Sequence, residues 1–248
     1  MFRPADLFDL TQTEHAALFD RCEFAWDALK RLKEYLEKFP NLGPTGFRKL
    51  LFALDMTGAP IIGPASRGAH RAWIGPKVLI GEGTVIEDGV MIKGPAIIGR
   101  NCEIRHGAYI RENVIVGDGC LVGNSCELKH AVLFNGCQVP HFNYVGDSIL
   151  GHKAHLGAGV ILSNVKSLAG NVTVEVEGRK CDTGLRKFGA LLGDGAEIGC
   201  NSVLNPGSVI GRGAMIYPLT NWRGVLAANH IAKNRGALEI VPRRAEEK

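Results

Sequence analysis

An aliphatic residue returns every six positions through most of this chain, and that period limits the fold more than any other feature. Ile74, Ile80, Ile86, Ile92, Ile98, Ile104, Ile110, Val116, Val122 and Leu128 keep the spacing. The fifth place of each unit is small or β-branched: Val78, Thr84, Val90, Ala96, Cys102, Ala108, Val114, Cys120 and Cys126. Both places must point inward. One unit cannot bury its apolar side alone, so the units must stack into a solenoid of short parallel strands, each coil covering the core of the one before. Two units are one residue short, Leu128 to Val132 and Val145 to Ile149, and the rhythm resumes through Leu133, Val139, Leu150, Leu156 and Leu162. It breaks near Asn164 and returns at Leu192, Ile198, Leu204, Ile210 and Ile216.

The period does not set the hand of the coil. Hexapeptide repeats of this form resemble those of the left-handed parallel β-helix, whose triangular coil takes three units. The resemblance implies a mainly β fold with Cys102, Cys120 and Cys137 in one register. Strands stack about 4.8 Å apart, and the simplest reading of that column is small buried thiols packing as hydrophobes. Seven cysteines with no CxxC spacing argue against a disulfide framework and a zinc site. The 32 glycines in 248 residues exceed the average share of about 7%, as a chain with a turn in every unit requires.

Charge narrows the function classes. A formal charge of +4 is spread along the chain, which disfavours nucleic acid as a partner. The opening MFRPADLFDL lacks the apolar run of a secretory signal, and no segment reaches the roughly 18 apolar residues of a membrane span. The expectation is a cytoplasmic protein that does not engage a membrane.

Outside the repeat, three segments read differently. Thr11, Gln12, Thr13 and Glu14 fit a capping box, and Leu18, Cys22, Ala25, Leu29, Leu32 and Leu36 follow helical spacing up to Pro40. A shorter helix is expected from Gly46 to Leu54. Residues 1–60 are therefore expected to be a helical cap over the first coil, whose strand edges would otherwise be exposed. The β-helix is expected over 61–220, with a projecting hairpin insertion at about 165–190, because Asn171 to Val176 alternates like a strand and Glu177 and Gly178 can turn it back. That hairpin is expected to pack on a neighbouring subunit or to close over a substrate, bringing Arg186 and Lys187 towards a phosphate. Residues 221–248 are read as a short helix around Val225 to Lys233 and a charged tail.

Against this regular background Arg105, Glu127, Lys129, His141, Tyr144, His155 and Asn164 stand out, since short sequence separations here mean neighbouring coils. The runs RHGAYI, VGNSCELKHAVLFNGCQVPHFNYVGD and LGAGVILSN, with both shortened units, resemble the acetyltransferase domain of the bifunctional N-acetylglucosamine-1-phosphate uridyltransferase/glucosamine-1-phosphate acetyltransferase family. DTGLRKFGALLGD is similar to its archaeal branch. The resemblance covers about Ile74 to Ile216. It implies a homotrimer with active sites between subunits, His141 as catalytic base, Glu127 beside the acceptor, and Asn164 near the reacting centre. It also implies sugar-phosphate contacts at Arg105, Lys129 and Tyr144, and acetyl-coenzyme A contacts at Ala158 and near Cys200. Tyr217, a further candidate for binding acetyl-coenzyme A, is the last position with a counterpart. His155 stands where the common bacterial form has asparagine, and Lys187 is a further substrate-binding candidate.

The implied chemistry is coherent. An amino sugar is largely an ammonium near neutrality and must lose a proton before it can attack a thioester, a task suited to a histidine. Backbone N–H groups or the Asn164 amide would stabilise the developing oxyanion. Arg105 and Lys129 suit a phosphate, and no metal is needed. No LxxGxGTRM segment of the family's nucleotidyltransferase domain occurs, so uridylyl transfer is not expected. Two other readings compete: a non-catalytic scaffold or regulatory subunit, and a trimeric zinc carbonic anhydrase. The second would use His106 and His141, but it lacks a third histidine for the metal.

Overall fold

The structure is a computed structural model and describes residues 2–39, 72–176 and 178–234. The repeat folds as a mainly β, left-handed parallel β-helix whose coils form three parallel sheets of eight strands. Face A runs from Trp73–Ile74 to Asn221–Trp222, face B from Val78–Ile80 to Val225–Leu226, and face C from Val85–Ile86 to Ile231–Ala232. A full coil pairs Val78 with Ala96. The shortened units pair Val114 with Ala131 and Leu133 with Leu150, each taking one residue out of a coil.

The two inward places of each unit fill the prism, and nearly all of these side chains are fully buried. The cysteine column lies inside it as free thiols. Cys102 donates to the Gly117 carbonyl at 3.1 Å, Cys120 to Phe134 at 3.1 Å and Cys137 to Gly151 at 3.0 Å. Burial pushes the Cys120 and Cys126 thiols above their ordinary pKa, because charge there would be desolvated.

A second core lies outside the prism. What sets face B apart is an outward place that is both apolar and buried in coil after coil: Leu79, Ile97, Ile115, Val132, Ile149, Leu191 and Val209. Phe8, Leu18, Phe19, Trp26, Leu29, Leu32 and Leu36 of the N-terminal segment cover this strip. The segment thus packs along the flank of the solenoid across many coils, and is not the expected cap over the first one. Each aliphatic side chain so buried contributes about 1.5–3 kcal/mol before ordering costs, which favours covering the strip over leaving it wet.

The segment is also less helical than its pattern suggests. Among the described residues of the segment, Pro4–Leu7 and Asp27–Lys38 are the α-helices, and 3₁₀ turns occupy Leu10–Gln12 and Ala16–Phe19. Asp9 caps the first turn through Thr11, so the expected capping box at Thr11 to Glu14 does not form. The expected helix from Gly46 to Leu54 lies outside the described residues.

At the other end, Val225–Leu226 and Ile231–Ala232 are strands in place of the expected helix. The spacing from Trp222 to Leu226 is a further shortened unit, so the solenoid continues past 220 with Trp222, Leu226 and Ala232 packed on its core. The insertion leaves after face A and returns to face B. Thr173–Val176 pairs antiparallel with Arg179–Asp182 as expected. Its inner side packs on its own solenoid: Val172, Val174 and Phe188 join the face B core, with Phe188 against Trp26 at 6.2 Å between rings. No helix among the described residues is long and apolar enough to cross a membrane.

Candidate functional site

The fold divides the sequence candidates among three places. Face A receives Glu127, Lys129 and Tyr144, because strands Glu127–Lys129 and Tyr144–Gly146 are neighbours with Glu127 opposite Tyr144 and Lys129 opposite Gly146. Asn164 joins them at the edge between faces A and B. It is buried, with its side-chain nitrogen donating to Asp147 Oδ2 and its backbone carbonyl accepting from Phe188 N at 2.9 Å. Lys187 is exposed beside it, bridged through its backbone to Val165.

The corner between faces C and A receives a second group. Arg105, His141, Ala158, Cys200 and Tyr217 all follow or end a face C strand, so they form a file along this edge. The backbone ladder makes the file continuous: Gly159 N donates to the His141 carbonyl at 2.9 Å and Asn201 N to that of Ala158 at 2.8 Å. With about 4.8 Å per coil, Ala158, Cys200 and Tyr217 stand one, two and three coils above His141. His141 is exposed, and its ring makes no hydrogen bond among the described residues. Its backbone N–H donates to Asn143 Oδ1 at 3.0 Å, and buried Asn143 also donates to Gly157 O at 2.8 Å. An inward asparagine therefore fixes the corner from which the imidazole projects.

His155 goes elsewhere. It lies on face C, where its Nδ1 is 2.7 Å from Glu197 Oε2, around the corner from Tyr144. Arg105 is two coils below His141 and turned to face C, with Nε donating to Glu103 Oε1 at 2.8 Å. The cation that meets Glu127 is a different residue, Arg111, with Nη1 3.0 Å from Glu127 Oε1. Its buried Nε has no hydrogen-bond partner among the described residues, and Glu112 is 3.8 Å away. The structure also adds Asp147, whose buried carboxylate faces Lys129 Nζ at 3.7 Å. Arg111 had a readable signal, since it occupies the same place in its unit that Lys129 holds one coil later.

Face A thus offers two cations, two carboxylates, an amide and a phenol within adjacent coils. Burial raises the Tyr144 pKa, with Glu127 and Asp147 adding to the effect and the Asn164 side chain opposing it, so the phenol stays protonated and able to donate. Such a surface can hold an acceptor carrying both an anionic group and hydroxyls, next to a corner histidine free to take a proton. Among the described residues no three His, Cys, Asp or Glu side chains cluster as for a metal.

Comparison with known proteins agrees with the repeat. The family described as GMPPB C-terminal domain matches residues 92–179. A bifunctional sugar-1-phosphate nucleotidylyltransferase/acetyltransferase of Sulfurisphaera tokodaii is 38% identical over 88 residues, 36% of this chain and 22% of that protein. A bifunctional protein GlmU of Methanococcus vannielii is 36% identical over 86 residues, 35% of this chain and 20% of the relative. A Mycobacterium marinum GlmU is 26% identical over 220 residues, 73% of this chain and 44% of its own. The match therefore spans about a fifth of the first two relatives. Among solved structures, a mutant of AntD, an N-acyltransferase from Bacillus cereus in complex with dTDP and coenzyme A, aligns at TM-score 0.26 and 17% identity over 65% of this chain and 75% of that one. That score is too low to say anything of this chain. The sequence matches show that the repeat resembles the acetyltransferase region of bifunctional sugar-phosphate enzymes.

Proposed function

We propose that this chain transfers the acetyl group of acetyl-coenzyme A to the amine of an amino-sugar 1-phosphate of the glucosamine-1-phosphate kind. One observation carries the reading: Arg111, Glu127, Lys129, Tyr144 and Asn164 converge on face A beside an exposed His141 whose ring makes no hydrogen bond among the described residues, while Ala158, Cys200 and Tyr217 continue the same corner away from it. The activities named for the relatives support this choice of reaction.

In this reading Lys129 and Arg111 hold the phosphate through charge-assisted hydrogen bonds, and Glu127 and Tyr144 orient the sugar. His141 removes a proton from the ammonium. The freed amine attacks the thioester carbon, the C–N bond forms, the C–S bond breaks, and the coenzyme A thiolate leaves to be protonated. Holding amine and thioester together removes the entropic part of the barrier; the Asn164 amide or corner N–H groups stabilise the oxyanion. The file from Ala158 to Tyr217 takes the pantetheine arm.

The acceptor site is open on one side, and the surface beside it is apolar: Phe142, Ile161, Tyr217 and Leu219 are exposed at the corner and on face A, whereas face B is covered. A homotrimer in which a neighbour closes the site fits this distribution and gives His155, Arg105 and Lys187 a route to contribute from an adjacent copy. The test is thiol release from acetyl-coenzyme A across a panel of amino-sugar phosphates. His141→Ala is expected to lower kcat by about 10²–10⁴ with acetyl-coenzyme A affinity nearly unchanged. Absence of both turnover and acetyl-coenzyme A binding would favour a non-catalytic scaffold.

A further inference from the structure

On face A, Lys93, Arg111 and Lys129 hold equivalent places on successive coils, and the next place is Gly146. Its φ is not in the left-handed region, so the backbone does not call for glycine. Contact does. A Cβ at 146 would lie 2.6 Å from Tyr144 Oη, 2.8 Å from Tyr144 Cε1 and 2.7 Å from Asn164 Nδ2. Residues two apart on a strand point to the same side, so the Tyr144 ring lies along its own strand, over the place where a 146 side chain would be. The phenol oxygen is thereby brought in line with Lys129 and close to the Asn164 amide.

The next residue fixes the neighbours. Asp147 is buried in a left-handed corner with φ 46°. Its carboxylate faces Lys129 from the coil below at 3.7 Å and accepts the Asn164 amide from the coil above. Ser148 holds this corner from behind: its hydroxyl donates to the Gly146 carbonyl at 2.7 Å and accepts from Ala190 N at 2.9 Å.

We infer that Gly146 and Asp147 are the positioning pair of the acceptor site: the glycine is the seat of the Tyr144 phenol, and the aspartate ties Lys129 and Asn164 to either side of it. The assignment rests on the reading of face A as an acceptor pocket, but the geometry can be tested without any activity.

The experiment is a double-mutant cycle of Gly146→Ala and Tyr144→Ala, read by thermal melting and by acceptor and acetyl-coenzyme A kinetics. Gly146→Ala alone is expected to lower Tm and to raise the acceptor KM about ten- to a hundredfold, as displacements near 1 Å do, with the acetyl-coenzyme A KM unchanged. In the Tyr144→Ala background the same methyl meets no ring and only the Asn164 amide remains against it, so both losses are expected to be clearly smaller. An equal loss in both backgrounds would mean that the glycine does not serve the Tyr144 ring and would overturn the inference. If Gly146→Ala does not fold, the double variant decides: recovery of a folded protein supports the seat, and failure to recover it overturns it. Asp147→Asn keeps the shape but removes the charge facing Lys129; it is expected to raise the acceptor KM without moving that of acetyl-coenzyme A, and no change in acceptor KM would overturn the role of Asp147. Should no amino-sugar phosphate be acetylated, the functional reading fails while the melting cycle still judges the seat.

Discussion

Acidification should loosen the N-terminal segment from face B through one residue, His15. The imidazole is 5% exposed, its Nδ1 is 3.1 Å from the Tyr35 hydroxyl, and the rings of Tyr35 and Phe39 are 5.9 and 5.3 Å away. Burial in this aromatic surround lowers its pKa from 6.5 to about 4, and the charge of Asp118 offsets only part of that. The sign follows from proton counts. Between the two values the unfolded chain binds a proton that the folded one refuses, so the stability is fully present above pH 6.5 and is lost as pH falls towards 4. At about 1.36 kcal/mol per pKa unit, the full loss is about 3 kcal/mol, and about 2 kcal/mol of it is gone by pH 5. For a chain of this size that corresponds to a Tm lower by about 4–8 °C. Melting curves at pH 7.5, 6, 5 and 4.5 should be compared with those of His15→Gln, which cannot titrate in this range. The variant is expected to be less stable at pH 7.5, having lost the ring contacts, but to have a shallower pH profile, because the carboxylates common to both proteins cancel in the difference. Parallel profiles would refute the reasoning.

Other outcomes follow from the same geometry. Arg111→Ala should raise the acceptor KM far more than Arg105→Ala, since Arg111 meets Glu127 and Arg105 turns to face C; steady-state kinetics of the two variants decide between them. Trp26→Ala removes a fully buried ring packed on Phe188 and should cost about 3–5 kcal/mol, measured by denaturant unfolding. Cys200 is exposed and the column of Cys102, Cys120 and Cys137 is buried, so a thiol reagent on the native protein should label Cys200 first. Saturating acetyl-coenzyme A should slow that labelling; unchanged labelling would remove Cys200 from the cofactor path. Replacing exposed Ile161 with glutamate should lower the solution mass from trimer towards monomer in sedimentation, while a chain that is monomeric before the change would exclude the shared site.

The sequence by itself determined the coil. Its inward places are dictated by a period that only a stacked solenoid can bury, and the two shortened units appear in the structure as a one-residue change in strand pairing. It also put Glu127, Lys129 and Tyr144 together, because residues one coil apart in the repeat must be neighbours. Where the expectations failed, the deciding contacts were not local. Helical spacing at Leu29, Leu32 and Leu36 does mark the helix Asp27–Lys38, but at Leu18, Cys22 and Ala25 it records only which side chains are turned to the core, and there it serves a 3₁₀ turn and irregular chain laid along a flat apolar strip. That strip was itself legible, in the unbroken outward row from Leu79 to Val209, but what covers it was settled by packing across the whole molecule. Trp222 and Leu226 continued the solenoid at a spacing that breaks the period, so the core they complete overrode the local pattern. Arg105 and Arg111 are equally plausible cations by residue type. One turns to Glu103 and the other meets Glu127, and only the third dimension decides, since a shift of one unit along the chain moves a side chain to another face of the prism.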